Sequence, residues 1–285
     1  MEEKISPSAL ACVAAAGWAL LGWTLGRDVC ALLLQSALLQ WTGDFWNAPA
    51  LWWTVNVLSS YGVGLPLALW AMAQVPAPSR PEHPPLHGRE LLCCAIVLPG
   101  LLYLANLITL LGAALAQAVS GAEPASAAVF SYPPALTAVQ TVLLAPLAEE
   151  WLFRGAMLRR LAPLGERGAV VASALCFALS HGSPNQLLYA LVGGLMLGYV
   201  ALCTGRLWCC VLLHMGVNAA ALLLPRLGRV GEGVTLLLLL AGCALAWPLW
   251  RGWPLAADTV PVRGWWRKGG VVLAFLYTAA RMALG

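Results

Sequence analysis

Long apolar stretches, separated by short polar connections, occupy most of the chain. A helix needs about 20 apolar residues to cross the hydrocarbon core of a bilayer. The stretches fall at 8–25, 50–75, 91–118, 134–158, 169–182, 186–204, 207–224, 233–250 and 270–284. A shorter apolar run at 29–41 is either a half-helix or an extension of the first stretch. The pattern predicts an all-α, polytopic transmembrane bundle of eight or nine helices.

Two polar connections divide this pattern into parts. The connection at 76–90 is rich in proline, and the connection at 119–133 consists of small and polar residues. We therefore predict N-terminal transmembrane helices with polar loops over 1–133, a helical core that carries the candidate chemistry over 134–224, and C-terminal transmembrane helices over 225–285.

Composition supports a membrane protein and argues against nucleic-acid binding. Only 10% of the residues are charged and 61% are hydrophobic, whereas soluble domains have about 25% charged residues. The net charge of +4 is small, so we expect a lipid bilayer and no nucleic acid as a partner. The nine cysteines lie almost all in apolar runs without C-x-x-C spacing, which favours buried thiols over disulfides. The alanine-rich and arginine-rich composition predicts a bacterial protein of the inner membrane.

Several polar residues interrupt the apolar stretches of the core, at a cost of at least ~2.5–3.5 kcal/mol for each charge on insertion scales. At 1.5 Å per residue, Glu149 and His181 each lie ~18–20 Å from the basic turn at 163–168. His214 and Asn218 lie ~12–18 Å beyond the next basic turn on the same scale. If both turns are at one face of the membrane, these groups meet at a common depth.

The two adjacent glutamates point in different directions from their helix. Glu150 and Arg154 are four residues apart, so they share a helix face and can pair. Glu149 is rotated by about 100° from Glu150, so it faces another direction. One carboxylate can therefore be neutralised by arginine while the other faces a cavity.

Two further pairs at four-residue spacing add possible roles. The Phe177 ring can pack beside the His181 imidazole, and His214 and Asn218 present hydrogen-bond donors from one helix face. A carboxylate and a histidine together can deprotonate water. A histidine beside an asparagine can stabilise an oxyanion. The combination predicts a hydrolase that uses water as its nucleophile, without distinguishing which glutamate acts.

Three other interpretations remain open at this point. An ion pair between Glu150 and Arg154 is by itself more typical of helix packing, as in a non-enzymatic immunity or scaffold protein. Two histidines and two glutamates could hold zinc in an open three-ligand site, although no H-E-x-x-H occurs. A transporter is less favoured because the two halves show no matched helix interruptions.

The order and spacing of these residues resemble the CPBP intramembrane proteases, the family of the CAAX prenyl endopeptidases of the Rce1 type and many bacterial relatives. The pattern is E-E-x-x-x-R, then F-x-x-x-H, then H-x-x-x-N. It stands here as Glu149-Glu150 with Arg154, Phe177 with His181, and His214 with Asn218. The resemblance covers about residues 134–224.

The resemblance implies a glutamate-type endopeptidase that works within the bilayer without a metal or other cofactor. By that resemblance, Glu149 and His181 would activate water. His214 and Asn218 would form the oxyanion hole.

The same resemblance implies supporting residues and a class of substrate. Glu150, Arg154 and Phe177 would support the catalytic groups. The substrate would be a membrane-anchored protein or peptide, since prenylated CAAX proteins are not expected in a bacterium. A bacterial sorting role of the myxosortase type is one form of this expectation.

Overall fold

The part of the chain that the structure describes is almost entirely helical. The computed structural model describes residues 7–42, 48–78, 86, 88–120, 132–252, 255 and 261–284. Within these ranges there is no β-strand, so the all-α prediction is confirmed. Parts of the predicted connections at 76–90 and 119–133 lie outside the described residues.

The N-terminal region forms three long helical segments. The first is α1 (Pro7–Leu21), a π-helical segment (Gly22–Gly26) and α2 (Arg27–Thr42). The second is α3 (Pro49–Val57), a π-helical segment (Leu58–Gly64) and α4 (Leu65–Ala73). The third is α5 (Gly88–Ser120). The apolar run at 29–41 is thus an extension of the first stretch.

The core and the C-terminal region follow the same all-helical pattern. The first core segment is α6 (Pro134–Ala138), a π segment (Val139–Leu144), α7 (Ala145–Glu150), a second π segment (Trp151–Met157) and α8 (Leu158–Arg160). It is followed by α9 (Glu166–Ser180), α10 (Pro184–Thr204) and α11 (Leu207–Leu223). The chain continues with α12 (Arg229–Arg251) and α13 (Gly269–Leu284).

Six helices of the described ranges have the length and hydropathy of a membrane span. They are Ala9–Trp41, Pro49–Ala73, Gly88–Ser120, Pro184–Thr204, Leu207–Leu227 and Arg229–Arg251. The other predicted stretches are helical too, but α9 and α13 have only 15 and 16 residues, and the 134–158 stretch carries the charged motif. The chain is an integral, multi-pass membrane protein.

The turn between α9 and α10 is fixed by local sequence. Gly182 has a φ of 60°, a left-handed conformation that ends α-helices and that glycine adopts without strain. Pro184 then occupies the first turn of α10, where a missing N–H costs nothing. Because α9 ends here, His181 stands at the helix terminus rather than along its side.

Close helix packing around α9 and α10 brings the core segments together. A Cβ atom added to Gly194 would lie 2.9 Å from the Ala174 Cα atom, so the two helix backbones are nearly in contact. The Ser173 hydroxyl donates a 2.9 Å hydrogen bond to the Phe153 carbonyl, which joins α9 to the π segment after α7. Small residues at such crossings allow membrane helices to approach closely.

Candidate active site

Glu150 lies at the centre of a buried network of charged groups. Its Oε1 atom is 2.8 Å from Nη1 of Arg154 and 2.8 Å from Nδ1 of His214. Glu150 and Arg154 are 0% and 1% exposed. Arginine keeps its proton in proteins, so Glu150 is the carboxylate that accepts both hydrogen bonds. The pairing expected from the i,i+4 spacing is present, and the bond to His214 joins α7 to α11.

The guanidinium of Arg154 is held from several sides. Its Cζ atom lies 4.5 Å from the centroid of the Phe177 ring, a cation–π contact. Its Nη2 atom donates to the Gly194 carbonyl at 3.4 Å. The arginine therefore ties the glutamate of α7 to both α9 and α10.

Phe177 contacts both histidines of the site. Its ring centroid is 4.9 Å from that of His181 and 5.9 Å from that of His214, in edge-to-face arrangements. Phe153 packs edge-on to the same ring, with centroids 5.2 Å apart. The sequence predicted the contact with His181 alone, and the contact of Phe177 with the His214 ring is an additional feature of the fold.

Glu149 has a setting unlike that of its neighbour. Its side chain is 16% exposed, and its Oε2 atom is 3.8 Å from Nε2 of His214. That separation is too long for a direct hydrogen bond, and a small polar group can contact both atoms at once. The phenols of Tyr61 and Tyr189 lie within electrostatic range of this carboxylate. Glu149 is thus the carboxylate that remains available to a bound molecule.

The His181 imidazole is oriented by its own helix. Its Nδ1 atom is 2.9 Å from the Phe177 carbonyl oxygen. A carbonyl can only accept, so Nδ1 carries a proton, and in the neutral ring Nε2 has a free lone pair. No ion pair joins His181 to Glu149 among the described residues; the ion pair of Glu149 is with His214.

Asn218 is anchored but retains a donor. Its Nδ2 atom donates a 2.8 Å hydrogen bond to the Thr141 carbonyl in the π segment before α7. An amide NH₂ group has two N–H donors, so one remains for another partner. Asn218 also lines a cavity of about 390 Å³, together with Tyr103, Asn106 and Tyr189.

The described side chains do not form a metal-binding set. Within the ranges that the structure describes, no three His, Cys, Asp or Glu residues are arranged to hold a metal ion. Glu150 and His214 are bonded to each other through Oε1 and Nδ1. The three-ligand arrangement that the zinc alternative requires is therefore missing from this part of the chain.

Tyr189 and Thr141 are among the residues that the fold brings to the site and that the sequence did not predict. The Tyr189 ring lies 6.4 Å from the His181 ring and lines the cavity beside Asn218. Thr141 contributes its backbone carbonyl, which no side-chain pattern can reveal. For Tyr189, the only sequence signal was a tyrosine within an apolar span. That signal does not indicate which residue the ring contacts.

Comparison with known proteins identifies the segment that contains these residues. Residues 131–220 match the family model of type II CAAX prenyl endopeptidases, Rce1-like. No curated protein and no solved structure matches the chain. The matched residues include both glutamates, both histidines and the asparagine of the site. Residues 131–220 thus form a segment similar to the Rce1-like type II CAAX prenyl endopeptidases, and this match within a multi-pass membrane protein supports an intramembrane protease.

Proposed function

We propose that the chain is a glutamate-type intramembrane hydrolase that cleaves a peptide bond in a membrane-anchored protein or peptide. The observation that carries the proposal is the difference between two adjacent carboxylates. Glu150 is buried and bonded to Arg154 and His214. Glu149 is partly exposed and lies 3.8 Å from the other nitrogen of His214. Glu149 is therefore the candidate base.

In the first step, Glu149 takes a proton from a water molecule while the water oxygen attacks the carbonyl carbon of the substrate. His181 helps to activate the water through Nε2, since its Nδ1 is committed to the Phe177 carbonyl. General-base catalysis of this kind typically contributes 10²- to 10⁴-fold in rate. The proton is then delivered to the leaving amine nitrogen as the C–N bond breaks, so the products are a carboxylic acid and an amine.

His214 and Asn218 are the candidate donors for the oxyanion that forms after the attack. His214 donates its Nδ1 proton to Glu150, and its imidazolium form has a second N–H at Nε2 that can donate to the oxyanion. Asn218 supplies the amide N–H that Thr141 does not use. Loss of one oxyanion donor typically costs ~2.7–4 kcal/mol of transition-state stabilisation.

The supporting residues keep these donors in place. Arg154 neutralises Glu150 at 2.8 Å, and Phe177 packs edge-on against both imidazoles. Preorganised donors are effective because they need no rearrangement when the charge develops.

The proposed substrate reaches the site from the lipid. The cavity beside Asn218 is lined mainly by apolar and uncharged residues, and it lies in a bundle of membrane-spanning helices. A membrane-anchored protein or peptide of a bacterial inner membrane fits this setting. A sorting role of the myxosortase type is one specific version of this proposal.

Glu149→Gln tests the proposal directly. The substitution keeps the shape of the side chain but removes the proton acceptor, so we expect cleavage to fall by at least ~10²-fold. The assay uses purified protein in liposomes with two fluorescence-quenched peptides, one carrying a farnesyl group on a C-terminal CAAX sequence and one carrying a single transmembrane helix. Full activity of a folded Glu149→Gln protein would refute the assignment of the base.

Two measurements on the same preparation address the alternatives. Stoichiometric zinc, together with loss of cleavage on chelation, would favour the zinc mechanism over the glutamate mechanism. A scaffold or immunity protein would show no cleavage in the wild-type protein, and charge-neutral substitutions at Glu149 and His181 would leave its partner binding intact.

A further inference from the structure

A second polar cluster lies outside the segment that matches the family, where α2 meets the end of α13. The Asp28 carboxylate accepts hydrogen bonds from Nε of Arg27 at 2.8 Å and from the Tyr277 hydroxyl at 2.8 Å. Its Oδ2 atom also lies 3.1 Å from Nε of Arg281. We call these four residues the Asp28 cluster. It joins the first helical segment of the chain to the last.

The opposite end of α13 is also fixed on α1. A Cβ atom added to Gly17 would lie 2.6 Å from the Val271 nitrogen, and one added to Gly270 would lie 2.7 Å from the Trp18 ring. The two helices therefore touch through their backbones at one end and through the Asp28 cluster at the other. Two separated attachments leave α13 little freedom to tilt or slide.

The helix α13 packs in turn against α9. Ala274 is buried in a small apolar cluster, against which Cys176, Leu179 and Tyr277 pack. Cys176 and Leu179 lie in the last turns of α9, directly before His181. The surface that supports the end of α9 is thus provided by residues far outside the matched segment.

Arg281 reaches the turn that carries His181. A Cβ atom added to Gly182 would lie 2.6 Å from Nη1 and 2.7 Å from Cζ of Arg281, so the guanidinium rests against the glycine backbone. Nη1 is buried and has no hydrogen-bond partner among the residues that the structure describes. The contact is therefore one of packing, and Asp28 anchors the guanidinium through Nε at 3.1 Å.

We propose that Arg281, anchored by Asp28, is a positioning residue for His181. The proposal rests on the role of His181 under Proposed function. The His181 ring is oriented by the Phe177 carbonyl at 2.9 Å, in the last turn of α9, where carbonyls lack helical partners and helices fray. The guanidinium packed on Gly182 prevents that turn from opening. Helices before and after the matched segment thereby support a site whose candidate catalytic residues lie within that segment.

Arg281→Gln tests the positioning role in the full-length protein. We expect kcat to fall by about 10- to 100-fold with KM changed by less than about twofold, because small displacements of a catalytic group cost rate rather than binding. Arg281→Lys retains a charge opposite Asp28, so it should recover part of the lost turnover. The matched control is Arg251→Gln, since Arg251 ends α12 and stacks at 4.9 Å on the Trp247 ring. The control should behave as the wild type.

Hydrogen exchange at the His181 turn provides a readout that does not depend on cleavage. Peptides that cover residues 178–184 should exchange faster in Arg281→Gln than in the wild type or in Arg251→Gln. Unchanged exchange together with unchanged kcat would overturn the proposal. A lower melting temperature of Arg281→Gln with normal turnover per folded molecule would also overturn the proposal. If the wild-type protein cleaves no peptide, the proposed function fails, while the exchange measurement still decides whether Arg281 holds the turn.

Discussion

At the scale of single residues, two neighbouring glutamates have opposite environments because a helix turns by about 100° between them. Glu150 faces Arg154 and His214 and is fully buried. Glu149 faces a partly open space. Two identical side chains on adjacent residues thus have different roles, with Glu150 as a structural carboxylate and Glu149 as a candidate base.

This difference predicts that the same substitution has a large effect on stability at one glutamate and a small effect at the other. Glu150→Gln leaves the buried Arg154 charge without its partner, and breaking a buried pair from one side typically costs ~3–5 kcal/mol. We expect the melting temperature of Glu150→Gln in detergent to fall clearly, whereas Glu149→Gln should change the free energy of unfolding by less than about 1 kcal/mol.

A double variant serves as the control for the Glu150 prediction. Glu150→Gln combined with Arg154→Met removes both charges and should recover part of the lost stability, because no uncompensated charge remains. A melting temperature of Glu150→Gln equal to that of the wild type would contradict the structural role of this carboxylate.

At the scale of elements, the sequence predicted where helices lie but not how they are wound. All the apolar stretches are helical, because length and hydropathy report membrane spans directly. The π-helical segments on either side of α7 had no sequence signal, since residues there are apolar around most of the helix and the periodicity that would show a change of winding is weak. Segments of this kind occur often at functional sites.

One contact of the candidate site was predictable from the sequence, and the contacts between different helices were not. Four-residue spacing within a helix indicated that Glu150 would meet Arg154. The bond between Glu150 and His214 joins residues 64 positions apart, and it depends on how α7 packs against α11. Spacing along the chain contains no information on that packing. The position of His214 between the two glutamates is therefore visible only in the fold.

The close contact between α9 and α10 predicts a steric effect of Gly194→Val. A Cβ at this position would meet the Ala174 Cα at 2.9 Å, and the same residue supplies the carbonyl that accepts from Arg154. Overpacking of a tight contact typically costs ~1–3 kcal/mol. We therefore expect a lower melting temperature and reduced cleavage.

Gly112→Val is the matched control for the Gly194 prediction. Gly112 also lies in a membrane helix, and a Cβ there would have nothing within 4 Å among the described atoms. The control should keep the melting temperature of the wild type. Equal effects of both substitutions would mean that loss of glycine, rather than contact with Ala174, is responsible.

At the scale of the whole molecule, the site lies inside a bundle whose outer surface is rich in exposed apolar side chains. Trp70, Leu111, Leu115, Trp208 and Leu237 are among the most exposed. Such a surface faces lipid rather than water. A substrate that is confined to the bilayer therefore encounters the protein at a much higher local concentration than a dissolved peptide does.

This arrangement predicts a preference for membrane-anchored substrates. For one cleavable sequence, kcat/KM should be at least ~10²-fold higher when the peptide carries a lipid or transmembrane anchor than when it is free in solution. The comparison is made in liposomes, with a peptide that carries a charged soluble tag of equal length as the control. Equal rates for anchored and free peptides would show that the site is reached from water.

The pair of Glu150 and Arg154 also has a consequence for biosynthesis. The two residues lie on neighbouring turns of one continuous helical segment, so they can neutralise each other as soon as that segment leaves the translocon. His214 is synthesised 64 residues later, so it cannot pair with Glu150 until that part of the chain has been made. An unpaired charge would oppose insertion by ~2.5–3.5 kcal/mol. Arg154 thus neutralises Glu150 during membrane insertion, before His214 has been synthesised.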